Sequence, residues 1–98
     1  MNLKNFDKSE VGWTFFTNHM HVLYCLSKHQ NMVLREVAFR VGITERAVQR
    51  IISDLEESGH ISIQKEGRQN KYLIHVDKFL KHPLESHCQV GDILKLLE

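Results

Sequence analysis

Over residues 44–59 the sequence TERAVQRIISDLEESG leaves little choice of local structure. Val48, Ile51, Ile52 and Leu55 recur at i, i+3, i+4 and i+7, which places them on one face of a helix. Arg46, Gln49, Arg50 and Ser53 share the spacing but fall on the opposite face, toward the amino-terminal end. Thr44 suits an N-cap, because its hydroxyl can accept from a first-turn amide, and Glu45 suits the positive end of the dipole. Gly59 can take the left-handed conformation that stops the helix. One face is therefore made for a core, and the other carries long, hydrogen-bonding, mostly cationic side chains. A DNA-reading helix needs that division, but any surface helix shows it, so the flanking sequence has to decide.

Upstream, Leu34, Val37, Ala38 and Val41 give a compact helix ending at Gly42, with Ile43 bridging into Thr44. Small Ala38 lets the two helices meet closely, and Gly42 permits the turn between them, as in a helix-turn-helix. Downstream, Ile61 and Ile63 alternate with polar residues. KEGRQN makes a turn around Gly67, and residues 71–76 return as a second strand. The hairpin tip carries Lys65, Arg68, Asn70 and Lys71. Local charge follows this layout: Arg40, Arg46 and Arg50 against Glu45, and Lys65, Arg68 and Lys71 against Glu66, while Asp54, Glu56 and Glu57 make the far end of the central helix acidic. A basic hairpin directly after a reading helix is a wing that can reach phosphates or the minor groove. The expected fold is mainly α with a small β-hairpin (α+β): a winged helix-turn-helix with a three-helix core, a wing and a C-terminal helix.

The remaining segments fill in around this unit, and 98 residues make one domain. Residues 1–12 are polar and aperiodic and are expected to lack order. Trp13, Phe15 and Phe16 concentrate aromatic surface that either plugs the core or packs on a partner subunit. Thr17 or Asn18 can cap a helix reaching about residue 29, with His19, Val22, Leu23 and Leu26 on the helical period. Met32 and Val33 suggest a brief edge strand. Phe79 and Leu80 are expected to pack within a polar connector. Pro83 suits the start of a last helix over residues 82–97, where Val90, Ile93, Leu94 and Leu97 form an apolar stripe and Gly91 admits another backbone. The winged-helix core spans residues 17–76, and the last helix is assigned to dimerisation with Trp13, Phe15 and Phe16.

The segment LREVAFRVGITERAVQRIISDLEESGHISIQKEGRQNKYLIH, residues 34–75, resembles the winged helix-turn-helix regulators of the MarR and ArsR type, as a small stand-alone prokaryotic member. The resemblance rests on Leu34, Val37 and Ala38 in a Leu-x-x-Val-Ala pattern, on Val41-Gly42-Ile43 at the turn, and on Leu55, Glu56 and Gly59 at the helix end. It covers roughly half of the chain closely. It implies a homodimeric, cytoplasmic transcription regulator. The chain is shorter than typical MarR proteins and lacks the Cys-x-Cys metal motif of many ArsR sensors.

The expected function is sequence-specific binding of double-stranded DNA. The recognition helix, about residues 44–58, would lie in the major groove and the wing, about residues 61–76, on the backbone or minor groove. Arg46 and Arg50 would contact guanine edges or phosphates, Gln49 adenine edges, and Thr44 a phosphate at the helix start. Ser53 closes the reading face, and Lys65, Arg68, Asn70 and Lys71 hold the backbone. Two alternatives remain. One is a winged helix used for protein contact. The other is a metal-responsive regulator, with His21 and Cys25 at i, i+4 and His87 and Cys88 near the end as candidate ligands. No nucleophile elbow, phosphate-cradling glycine loop or paired carboxylates suggest an enzyme, and no resident cofactor is expected. No apolar run approaches the ~20 residues of a membrane span. The two cysteines lie far apart, which suits a reducing cytoplasm.

Overall fold

A computed structural model describes residues 12–98, and the expected lack of order before residue 12 falls almost wholly outside them. Three helices come first: α1 (Asn18–Lys28), α2 (Leu34–Val41) and α3 (Glu45–Glu57). Two strands, β1 (Ile61–Glu66) and β2 (Gln69–Ile74), and a last helix, α4 (Val90–Leu96), follow. The expected winged helix-turn-helix is the observed fold.

Local chemistry explains most boundaries of the first half. Thr17 caps α1, its hydroxyl accepting from the Met20 amide at 3.4 Å. Thr44 caps α3 in the same way, accepting from Ala47 at 3.0 Å. Between α2 and α3 the chain turns on Gly42, whose φ of 85° is open to glycine and strained for a side chain. The Gly42 and Ile43 amides both donate to the Ala38 carbonyl, at 2.8 and 3.1 Å, so the turn satisfies what the helix end leaves open. α3 ends in a Schellman arrangement: Gly59 donates to Glu56 at 3.0 Å and His60 to Leu55 at 2.9 Å.

The core lies where the three helices meet the root of the hairpin. Val22, Leu26, Val37 and Val48 are fully buried, and Ile61 and Val90 nearly so. His60 is also inside, and it is fully bonded. Its Nε2 donates to the Phe79 carbonyl at 3.0 Å, which leaves Nδ1 to meet the Ser58 hydroxyl at 2.6 Å. No buried side-chain nitrogen or oxygen lacks a partner among the described residues.

The hairpin is tighter than KEGRQN suggests. Glu66 pairs with Gln69, so only Gly67 and Arg68 form the loop. Gly67 has a φ of 62° and, among the described residues, no non-glycine residue has positive φ, the pattern of a type II′ turn whose twist matches the strands. β2 accordingly starts at Gln69 and ends at Ile74 rather than running from 71 to 76.

Two other expectations fail. Met32 and Val33 form no strand; among the described residues the sheet has two strands, and β2 meets this loop through one backbone–backbone bond, the Tyr72 amide to the Gln30 carbonyl at 2.9 Å. A single bond cannot build a ladder, and Met32 is held by burial instead. The last helix begins at Val90, not near Pro83. Residues 82–88 fold as turns, with Glu85 donating to His82 and Cys88 to Glu85, both at 2.8 Å. A bridge between Phe79 and Gln89 closes that segment into a loop. The helix starts where Asp92 reaches back to accept from the Gln89 amide at 3.0 Å.

α4 then docks on its own chain. Val90 donates to the Lys78 carbonyl and Gly91 to the Val76 carbonyl, both at 2.9 Å. A Cβ at Gly91 would lie 3.2 Å from that Val76 oxygen, so the close backbone approach expected there is intramolecular. Val90 and Leu94 are buried in the common core, which removes both from any surface available for dimerisation. Ile93 and Leu97 remain half-buried.

Candidate nucleic-acid interface

The division of α3 is realised in three dimensions. Val48, Ile51, Ile52 and Leu55 are buried, while Arg46, Gln49, Arg50 and Ser53 are exposed on the other side. Arg46 and Arg50 make no ion pair among the described residues, so both guanidiniums are available to an anion. Thr44 is exposed, but its hydroxyl oxygen already accepts from Ala47; its hydroxyl proton is what it can offer a phosphate. At the acidic end of the helix, Asp54 Oδ2 accepts a hydrogen bond from His19 Nε2 of α1 at 2.8 Å.

The wing divides into a free tip and an anchored root. Lys65 and Arg68 are exposed and unpaired among the described residues. Lys71 sits 3.9 Å from Glu66, half-buried, which weakens it as a phosphate ligand. Asn70 is also half-buried, donating to the Tyr72 hydroxyl at 3.4 Å, and belongs more to the wing's scaffold than to its surface. Asn31, which the sequence did not single out, holds the wing from the α1–α2 loop. Its amide donates to Glu66 Oε1 at 3.4 Å and to the Asn70 carbonyl at 3.3 Å.

The remaining candidates separate. Trp13 is 70% and Phe15 90% exposed, packed edge to face with ring centres 4.9 Å apart, whereas Phe16 is half-buried. Phe15 and Phe16 border a groove of about 930 Å³ between the start of α1, the end of α3 and residues 80–93. His87 and Cys88 lie on that groove, and His21 and Cys25 line a different cavity between α1 and α2. The two pairs do not converge within the chain, and no group of three or more His, Cys, Asp or Glu side chains is placed to hold a metal among the described residues. Burial pushes the Cys25 thiol up from its ordinary range, with Glu36 adding to the rise and Arg40 opposing it.

Three helices, a glycine turn between the second and third, and a hairpin after the third define a winged helix-turn-helix with an unobstructed third helix. Among solved structures the chain is similar to IscR of T. potens, a winged-helix transcription regulator, with a TM-score of 0.61 and 16% identity over 91% of each chain. That likeness establishes the winged-helix fold and does not single out the MarR or ArsR type. No profile of a known family matches the chain, and no curated protein matches it in sequence. No helix among the described residues is long and apolar enough to cross a membrane.

Proposed function

We propose that the protein is a transcription regulator that binds double-stranded DNA as a homodimer, with α3 in the major groove and the β1–β2 wing on the backbone or minor groove. The observation that carries this reading is the exposed, unpaired face of Arg46, Gln49 and Arg50 on a helix whose other face is core. Side chains at the start of such a helix reach base edges, where arginine matches guanine and glutamine matches adenine. Lys65 and Arg68 extend the positive surface to the wing, where they fix register more than sequence. The exposed Phe15, Leu84 and Leu96 supply the apolar surface for a second copy, with Ile93 and Leu97 at its margin.

Selection from a random duplex library tests the reading. A dimer should enrich inverted half-sites about one helical turn apart. On the selected site Arg50→Ala should cost about 1–3 kcal/mol, whereas Arg68→Ala should weaken all sequences alike and lower the salt dependence. Equal binding by the wild type and an Arg46→Ala/Arg50→Ala variant at fixed salt would show that α3 does not read the DNA. Recovery of no sequence, with Phe15→Ser abolishing capture of a protein partner, would favour a protein-contact module.

A further inference from the structure

The wing tip carries a residue that a duplex should repel. Glu66 closes β1 beside the Gly67–Arg68 loop, among Lys65, Arg68 and Lys71, where a carboxylate opposes any phosphate. Its surroundings give it another use. Glu66 Oε1 accepts from the Asn31 side-chain amide at 3.4 Å, and Oε2 lies 3.9 Å from the Lys71 ammonium. The same Asn31 nitrogen, which carries two protons, also donates to the Asn70 carbonyl at 3.3 Å. One side chain of the α1–α2 loop thus reaches both strands, close to the turn that joins them. Among the described residues no other hydrogen bond ties residues 65–70 to the helices. Packing does not direct the tip either: Ile61 and Tyr72 are buried at the root, whereas residues 64–69 are all exposed.

We propose that Asn31 and Glu66 are positioning residues for DNA binding: their bond holds the wing tip at a set angle to α3, so that Lys65 and Arg68 meet the backbone of the duplex that α3 enters. This rests on the DNA reading above. A two-stranded hairpin is soft beyond its packed root, so a single bond near the turn acts at the end of a lever. A tip without it has to be ordered on binding, which weakens the complex while the fold stays intact.

Two substitutions remove the same charge and differ at the bond. Glu66→Gln keeps an acceptor for Asn31, and Glu66→Ala keeps none. On a mixed-sequence duplex at fixed salt, Glu66→Ala should bind about threefold more weakly than Glu66→Gln, whereas loss of repulsion alone makes them equal. Asn31→Ala should weaken wild-type binding by a similar factor, lower its salt dependence, and add little to Glu66→Ala. Equal binding by the two Glu66 variants, or full additivity of Asn31→Ala with Glu66→Ala, would overturn the proposal. A second measurement needs no DNA. In the isotope-labelled free protein, Asn31→Ala should lower the heteronuclear NOE of the Gly67 and Arg68 amides and leave those of α3 unchanged. Unchanged tip amides would overturn the latch whatever binds. Loosened tip amides in a protein whose wild type binds no duplex would support the latch and remove the DNA reading instead.

Discussion

The α2–turn–α3 unit and the final stretch, residues 77–98, have similar apolar content but are held by different kinds of interaction. In the first, three of the four helix boundaries are closed by a neighbour in sequence: Thr44 by Ala47, Gly42 by Ala38, Gly59 by Glu56. In the second, order comes from contacts with other parts of the chain: the Phe79–Gln89 bridge, and the amides of Val90 and Gly91 on the carbonyls of Lys78 and Val76. α4 is only seven residues long, too short to persist without such docking. The contrast teaches that the tail belongs to the core of this protomer before it belongs to any interface.

Paired core truncations give the hardest test of that view. Val48→Ala in α3 and Val90→Ala in α4 remove equally buried side chains, so each should lower unfolding free energy by about 2 kcal/mol in urea melts. A negligible loss for Val90→Ala would make the tail an appendage. Capping separates the two regions next. Thr44→Ala should cost about 1 kcal/mol, and Asp92→Ala less, since α4 is held mainly by docking. Equal losses would mean that α4 depends on its cap as α3 does.

The smallest effect concerns the cysteines. Cys25, buried with its thiol raised above the ordinary 9.0, stays protonated at neutral pH, while Cys88 is half-exposed. A thiol reagent at pH 8 should therefore label Cys88 first and Cys25 only slowly. The sign for stability follows from the folded thiol holding its proton more tightly than the unfolded one. This contribution is complete below about pH 9 and is lost as pH rises through the raised value. Cys25→Ala should flatten the alkaline loss of stability seen in pH-dependent melts.

The same contrast explains what could be read from the sequence. α2 was legible to the residue, because Leu34, Val37, Ala38 and Val41 keep the helical period and Gly42 stops it. The exposed face of α3 was legible because burial of Val48, Ile51 and Leu55 dictates where Arg46 and Arg50 point. Pro83 misled because a proline start signal says nothing of the Phe79–Gln89 bridge, which diverts the chain into turns. Val90 and Leu94 made a stripe, but its destination, core or partner, depends on where Val76 lies in space. Asn31 carried no local mark at all, since the groups it holds, on Glu66 and Asn70, are 35 and 39 residues away. The cavity between α1 and α2 was invisible for the same reason, being assembled from two helices and a loop.

The joint at Ser58, Gly59 and His60 has a mechanical consequence. His60 donates its amide to Leu55, offers its carbonyl to the His75 amide at 2.9 Å, and pins Phe79 with its ring. Helix, wing and the segment leading to the tail are thereby joined by hydrogen bonds at one residue, which ties the angle between α3 and the hairpin. If α3 and the wing bind DNA as proposed, such a two-pronged fork would match the spacing of its site rather than adjust to it. Target preference in such a protein is retuned by exchanging side chains on the prongs, and the frame that spaces them stays constant.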